Sequence, residues 1–141
     1  MAEPIVRCSW QRAGQVALVD GMLVFPKVPN APGVYRFTLT DSAGTRVYVG
    51  ESQRLPGRFQ HYRTPGGPGE QRTTKFRLNR LMLDALMIGG QVTVEVATQA
   101  EAVASDGTPV ALDLNQKAVR QRAEHAVEAA ERASGSTLLN K

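Results

Sequence analysis

Two short apolar runs near the N-terminus flank a turn signal. In QVALVDGMLVF, residues 15–25, the runs are joined by Asp20-Gly21, a pair that supplies the positive φ values of a tight hairpin turn. The pattern predicts an N-terminal β-hairpin. The stretch that follows, PKVPNAPG, has three prolines in eight residues, which indicates an extended connector because proline disrupts helices and central strands.

Runs rich in β-branched and aromatic residues then predict strands. VYRFTLT and RVYVGES, residues 34–40 and 46–52, are separated by the turn-forming DSAGT, so they predict an antiparallel pair. VTVEVAT, residues 92–98, alternates apolar and polar positions and predicts a third strand. Residues 101–109 are polar with Gly and Pro, which predicts a loop.

Segments whose sequence pattern predicts helices follow the second and third strands. A short helix is predicted at residues 58–63, after the break at Pro56-Gly57. A longer helix is predicted at residues 72–88, before Gly89-Gly90, and an alanine-rich helix at about residues 115–134, before Gly135.

The order of these elements predicts the fold class. We expect a small α/β (α+β) domain over residues 31–141, with a three-stranded antiparallel sheet flanked by helices. The extra N-terminal β-hairpin and its connector occupy residues 1–30. The Pro/Gly-rich residues 64–71 predict a mobile loop between the first two helices.

Composition narrows the class of protein. At 141 residues the chain is long enough for one domain with a real core. Its 17 Lys and Arg against 13 Asp and Glu give a net charge of +4, which permits a polyanionic partner. Cys8 is the single cysteine, so an internal disulfide or a thiolate metal site is excluded. Without a signal-peptide layout or a membrane-length apolar run, we expect a soluble, cytoplasmic protein.

Three short motifs, taken together, resemble those of one protein family. Gly33-Val34-Tyr35 and Tyr48-Val49-Gly50 lie on the two paired strands, and Arg58 follows eight residues after Gly50. Together with the element order, they resemble the GIY-YIG nuclease family over about residues 32–140. The resemblance implies a DNA endonuclease that uses Mg²⁺ or Mn²⁺, with RNA not excluded as substrate and a dimer possible for double-strand cleavage.

The tyrosines and the arginine of these motifs also suit phosphodiester hydrolysis when the resemblance is left aside. Tyr35 and Tyr48 on adjacent strands can orient a water or accept its proton, and a nearby cation would favour the phenolate because a phenol has a pKa of about 10. Arg58 is predicted to be that cation, and its planar guanidinium suits a phosphate. The structural alternatives are a cross-strand packing pair for the tyrosines and a solvated helix-start residue for the arginine.

Two further ring side chains follow Arg58 on its side of the helix. Tyr62 lies four residues after Arg58, where some members of the family carry a histidine or a tyrosine. His61 lies three residues after it and is a candidate second base or phosphate donor. An ordinary surface histidine is the alternative.

The metal ligand that the resemblance implies is a glutamate on a later helix. An alanine-rich stripe is predicted to be buried: Val119, Ala123, Ala126, Ala130 and Ala133. Glu124 lies at the edge of this stripe, whereas Glu128 lies nearly opposite it with Arg132 as a helical partner. Glu124 is therefore favoured as the ligand of Mg²⁺, which needs few protein ligands, and Glu128 remains the alternative.

Basic residues flank or follow the Pro/Gly loop and are candidate contacts for the nucleic-acid backbone. They are Arg54, Arg63, Arg72, Lys75, Arg77 and Arg80. The resemblance also implies Asn140, which would tie the chain end to the site or touch a phosphate. The sequence thus predicts a metal-dependent DNA endonuclease. The alternative is a catalytically inactive nucleic-acid-binding or interaction module with the same fold.

Overall fold

The computed structural model of the chain describes residues 5–67, 69 and 73–140. Within them the strands are β1 Ile5–Cys8, β2 Gln11–Gln15, β3 Ala17–Val19, β4 Met22–Val24, β5 Gly33–Asp41, β6 Gly44–Ser52, β7 Gln91–Ala97, β8 Ala100–Val103, β9 Pro109–Ala111 and β10 Thr137–Leu138. The helices are α1 Leu55–Tyr62, α2 Thr74–Met87 and α3 Lys117–Ala133. The architecture is mixed α+β.

A five-stranded sheet in the order β10-β6-β5-β7-β2 organises the fold. Its centre consists of the three predicted strands, with β5 antiparallel to both β6 and β7. The prediction of three strands is corrected because β2 and the two-residue β10 extend the sheet at its edges. β2 has a register shift between Arg12 and Gly14, and β10 is too short for alternation to reveal it.

The region expected to be a hairpin and connector contributes to three sheets. β3 and β4 pair across Asp20 and Gly21, whose φ angles are 52° and 76°. β2 pairs with β7 of the central sheet, and β1 pairs with β8. The predicted loop at residues 101–109 is also corrected, because β8 and β9 form a hairpin there. Pairing with β1 supplies the partner that local composition did not indicate.

Helices cover both faces of the central sheet. On one face α1, α2 and the β3–β4 hairpin enclose a core that includes Tyr35, Phe37, Phe59 and Tyr62. On the other face α3 and the β1-β8-β9 sheet enclose Val34, Val49 and Ala123. β6, next to the short edge strand β10, therefore contacts α1 on one face of the sheet and α3 on the other.

Helix ends follow local signals. α1 starts three residues earlier than predicted, with Pro56 in the first turn, where its missing N–H is tolerated. α2 is capped by Thr73, whose hydroxyl accepts from the Phe76 N–H at 3.1 Å, and ends before Gly89, which has a φ of 84°. In the part of the chain that the structure describes, no helix is long and apolar enough to cross a membrane.

Candidate active site

The two motif glycines are places where other groups come too close for a side chain. A Cβ on Gly50 would lie 2.3 Å from the Tyr35 hydroxyl oxygen, because the Tyr35 ring packs across this position. A Cβ on Gly33 would lie 2.6 Å from the Ala97 carbonyl oxygen on β7. Contacts this short are not found for real Cβ atoms, so both positions favour glycine for space rather than for backbone conformation.

Tyr35 lies inside the core rather than at a surface. Its side chain is 1% exposed, and its hydroxyl shares a hydrogen bond of 2.8 Å with the Tyr62 hydroxyl. Burial, followed by the neighbouring phenols of Tyr62 and Tyr48, raises the pKa of Tyr35 well above its ordinary value. The ring packs beneath the site with its hydroxyl bonded to Tyr62, and Tyr35 also acts on the site directly because it raises the pKa of Arg58. The expected contact of Tyr35 with the attacking water stays a prediction.

Tyr48 is the phenol at the edge of the site. It is half-buried, pairs with Phe37 across the strands, and its ring centroid is 6.4 Å from that of Tyr35. Burial raises its pKa, as do Tyr62 and the carboxylate of Glu124, while Arg58 acts in the opposite direction. Arg58 favours the phenolate, as expected, but burial outweighs this effect and the pKa of Tyr48 lies above its ordinary value.

Tyr62 joins the elements of the site. Its hydroxyl contacts Tyr35, and interactions with Tyr62 raise the pKa values of both Tyr48 and Arg58. Its backbone carbonyl accepts from the side-chain amide of Asn79 at 2.9 Å, which ties α1 to α2. Tyr62 was not among the predicted catalytic residues, although its spacing of four from Arg58 was the signal that pointed to it.

Arg58 is exposed on α1 and lines an open cavity of about 440 Å³. Arg54 and His61 line the same cavity, so two of the predicted residues lie beside Arg58. Partial burial opposes its charge, but Tyr35, Tyr62 and Glu51 outweigh this, and the pKa of Arg58 rises above its ordinary value. The guanidinium is therefore a permanent cation at this surface.

Glu124 lies on α3 and faces a polar cavity of about 330 Å³. The cavity is lined by Tyr48, Thr74, Arg77, Glu124, His125, Glu128 and Asn140. Burial, then the carboxylates of Glu128 and Glu51, raises the pKa of Glu124 to about 7, and Arg58 counteracts this. Tyr48, Arg58 and Glu124 thus influence one another electrostatically although they come from a strand and two separate helices.

The predicted buried stripe of α3 is correct only in part. Ala123 is buried and Val119 and Ala126 are half-buried, whereas Ala130 and Ala133 are exposed. Arg120 and Val127 are buried instead. The helix is rotated because Arg120 pairs with Glu51 at 2.6 Å and Glu131 pairs with Arg36 at 2.7 Å. Charged residues therefore face the sheet, which a pattern of apolar residues alone did not reveal.

This rotation also brings Glu128 to the cavity. Its side chain is 13% exposed, compared with 19% for Glu124. It accepts from the Asn140 side-chain amide at 3.3 Å and lies 3.8 Å from Arg132, the helical partner that the sequence indicated. The prediction that Glu128 points away from the buried face is corrected.

A buried ion pair that the sequence analysis missed supports the site. Arg120 is 4% exposed, and its Nε donates to Glu51 at 2.6 Å. Its Nη1 donates to the carbonyls of Leu114 and Asn115 at 3.0 and 3.1 Å. The guanidinium thereby connects the end of β6, the loop before α3 and α3 itself, one turn before Glu124. No local signal pairs residues so distant in sequence.

Asn140 ties the chain end to the central sheet. Its Oδ1 accepts from the Val49 N–H at 2.9 Å, and its Nδ2 donates to the Val49 carbonyl at 2.6 Å. Arg77 reinforces this segment, because its Nη2 donates to the Leu139 carbonyl at 3.0 Å. Of the two roles considered for Asn140, the contacts favour the structural one.

Of the remaining predicted DNA contacts, Arg54 lines the cavity of Arg58, whereas Arg63, Lys75 and Arg80 line neither of the two cavities. The Nε of Arg54 donates to Asn30 at 3.0 Å, and the Nε of Arg63 donates to the Leu23 carbonyl at 3.2 Å. Lys75 lies in the first turn of α2, half-buried. Arg80 is exposed and lies 3.6 Å from Asp84, and Arg72 lies outside the described residues.

The donor set fits a divalent cation held by few protein groups. Among residues 5–67, 69 and 73–140, no three His, Cys, Asp or Glu side chains cluster closely enough to form a metal cage. Glu124, however, is a desolvated carboxylate whose pKa is raised by two neighbouring carboxylates. A cation would offset that repulsion, and Mg²⁺ commonly binds one or two carboxylates and otherwise keeps its waters.

The fold as a whole is similar to that of a point mutant of bacteriophage T4 EndoII. The likeness covers 94% of this chain and 92% of that chain, with a TM-score of 0.61 and 17% sequence identity. At this identity it concerns the fold alone. No protein-family model matches the sequence, and no curated protein matches it.

Proposed function

We propose that the chain is a metal-dependent DNA endonuclease with a GIY-YIG-type site. The observation that carries this proposal is that Tyr48 of β6 and Glu124 of α3 line one polar cavity, with the Arg58 guanidinium of α1 close enough to act on both. In phosphodiester hydrolysis a phenol can orient the attacking water, a permanent cation can stabilise the charge on the phosphoryl oxygens, and a carboxylate can hold a metal ion. The likeness of the fold to bacteriophage T4 EndoII also supports a nuclease.

In this proposal Arg58 binds the scissile phosphate. Its planar guanidinium would donate to two phosphoryl oxygens and stabilise the charge that grows on them in the transition state. His61 lines the same cavity and is proposed as a second donor to the phosphate or as a base. Arg54 would contact the backbone beside the cleaved bond.

Tyr48 would orient the attacking water. Because its pKa is raised, it would hold the attacking water as a neutral hydrogen-bonding phenol, and the proton of that water would pass to His61 or to a second water molecule beside the tyrosines. Tyr62, held against Tyr35 by the shared hydrogen bond of 2.8 Å, would keep the Tyr48 ring and the Arg58 guanidinium in place. Positioning of this kind lowers the entropic part of the barrier.

Glu124 would hold Mg²⁺ or Mn²⁺, with Glu128 as the alternative ligand. When bound, the cation would neutralise charge on the leaving oxygen. Glu51 lies close enough to raise the pKa of Glu124. Because Glu51 is already paired with Arg120, it would not form an ion pair that competes with the phosphate for Arg58. The two carboxylates of α3 thus remain the ones that face the cavity.

The test is cleavage of supercoiled plasmid in the presence of Mg²⁺ or Mn²⁺. We expect nicked or linear product, and its loss in Arg58→Ala and in Glu124→Gln, both still folded by circular dichroism. Arg7→Ala is the matched control because Arg7 is an exposed arginine on β1 with a partner of its own, Glu101, and is not among the predicted DNA contacts. Linear product rising with the square of protein concentration would indicate two cooperating copies.

Binding without metal-dependent cutting, across several DNA structures, would contradict the enzyme. It would support the alternative, an inactive nucleic-acid-binding or interaction module. Matched DNA and RNA duplexes in competition would decide which nucleic acid is the substrate.

A further inference from the structure

A third cavity lies on the other side of α1 from Arg58. We call it the α1 cleft, and it is lined by residues 24–28 together with Pro56, Phe59, Gln60 and Arg63. Its volume is about 310 Å³, at the lower end of the roughly 300–1,000 Å³ typical of small-molecule sites. None of the residues assigned to the proposed reaction lines it.

The inner wall of the α1 cleft is aromatic. Phe25 packs on Phe59 with ring centroids 5.4 Å apart and an angle of 30° between the rings. Phe59 is buried, whereas Phe25 is half-buried and lines the cleft. Pro26 and Pro56 extend this apolar wall on either side. A flat aromatic partner could therefore stack against Phe25.

The rim of the α1 cleft is positively charged. Lys27 is exposed there, and Arg63 is fixed by donation from its Nε to the Leu23 carbonyl at 3.2 Å. Among the described residues that line the cleft, none is acidic. An apolar aromatic wall beside two cations complements a nucleotide, whose base is flat and whose phosphate is anionic.

The position of the cleft relates it to the cleaved bond. Arg58 lies on α1, and Arg63, five residues later, caps its C-terminal end, which corresponds to about 7 to 8 Å along the helix axis. Neighbouring nucleotides of one DNA strand rise by about 3.4 Å each. A strand with its phosphate at Arg58 would therefore continue around the helix for at least about two nucleotides before it reaches the rim formed by Arg63.

We propose that the α1 cleft binds an unpaired nucleobase close to the cleaved bond, an inference that rests on the proposed endonuclease function. A base inside a duplex is stacked on both faces and cannot reach Phe25, whereas an extrahelical or single-stranded base can. The preferred substrate is therefore DNA with an unpaired nucleotide near the scissile phosphate, rather than fully paired duplex.

The experiment measures binding without cleavage. A duplex carrying one extrahelical 2-aminopurine, labelled at one end, is titrated with the protein in EDTA, alongside the fully paired duplex of the same flanking sequence. We expect the bulged duplex to bind at least 10-fold more tightly and the 2-aminopurine fluorescence to fall on binding, because stacking on Phe25 quenches it.

Two variants test the cleft itself. Phe25→Leu keeps apolar packing on Phe59 but removes the aromatic face, and Lys27→Gln removes one rim charge from an exposed position. Both should reduce the preference for the bulged duplex at least 5-fold. Lys117→Gln, at the exposed start of α3, is the matched control for Lys27→Gln and should retain the preference.

Equal binding of the two duplexes, or a preference that survives both variants, overturns the inference, and so does the absence of any DNA binding. These results differ from failure of the endonuclease. Plasmid cleavage without a preference for the bulge would leave the proposed function standing, whereas a Phe25-dependent preference without cleavage would leave only the binding site.

Discussion

The two faces of the central sheet use different chemistry, although β5 and β6 contribute to both. Beneath α1 the face is aromatic: the rings of Tyr35, Phe37 and Phe59 lie 5.1 to 5.4 Å apart between centroids. Beneath α3 the face carries ion pairs, of Arg36 with Glu95 and Glu131 and of Arg120 with Glu51. Buried phenols stay neutral on one face, whereas compensated charges persist on the other.

The candidate active site lies where these faces meet, beside β6. Tyr48 belongs to the aromatic face, and Glu124 belongs to the charged face. Burial raises the pKa values of both groups, and the carboxylate of Glu124 raises the pKa of Tyr48 further. Neither face alone supplies the proposed chemistry.

The largest expected effect comes from breaking the charged face. Arg120→Met should lower the free energy of unfolding by about 3–5 kcal/mol, because the carboxylate of Glu51 would be left buried without a partner. The double variant with Glu51→Gln should recover at least half of that loss. Urea denaturation of the wild type, Arg120→Met and the double variant measures the free energy of unfolding. A loss below about 1 kcal/mol for Arg120→Met would show that the Arg120–Glu51 pair does not stabilise the fold.

The next prediction separates the two tyrosines of the aromatic face. Tyr48→Phe should reduce kcat about 100-fold, because the proposed hydrogen bond to the attacking water is lost. Tyr35→Phe should reduce kcat less than 10-fold and cost about 1 kcal/mol of stability, because it removes only a buried hydrogen bond. Initial cleavage rates at saturating DNA test this, and equal losses for both variants would contradict the separation.

Overpacking of the aromatic face should have an intermediate effect on the free energy of unfolding. Gly50→Ala places a methyl group 2.3 Å from Tyr35 atoms, which should cost about 1–3 kcal/mol because the ring must shift within a packed core. Gly67→Ala is the matched control, since a Cβ there has no neighbour within 4 Å. Thermal unfolding of both variants measures the difference. Equal melting temperatures for Gly50→Ala and Gly67→Ala would show that the Tyr35 ring is not packed against β6.

The smallest effect concerns the pH dependence of metal-free stability. Because the pKa of Glu124 is raised to about 7 in the folded protein, its protonated form is the one that folding favours. That stability is fully present below the unfolded pKa and is lost as the pH rises through 7. Glu124→Gln should therefore stabilise the protein by about 1 kcal/mol at pH 8.5, after allowance for solvent screening, and very little at pH 4.5.

Thermal unfolding in EDTA at the two pH values measures this difference. Glu101→Gln is a control, since that carboxylate lies on β8, is 38% exposed and pairs with Arg7 of β1 rather than with any residue of the site. Stabilisation of the same size at both pH values would contradict the raised pKa of Glu124.

Local pattern was sufficient for the central elements. Asp20-Gly21 predicted the turn between β3 and β4, and the two motif tripeptides fall on β5 and β6. Gly89 and Gly135 correctly indicated where α2 and α3 end. Each of these features depends on a few neighbouring residues, so the sequence alone could determine it.

Contacts between residues distant in sequence determined the features that the local pattern did not predict. The burial of Tyr35 depends on helices and a hairpin that close over it, and the strands β8 and β10 exist because β1 and β6 pair with them. The rotation of α3 depends on Arg120 meeting Glu51, 69 residues away. Charge compensation between distant residues leaves no local periodicity, so only the tertiary structure could turn Glu124 and Glu128 together toward Tyr48.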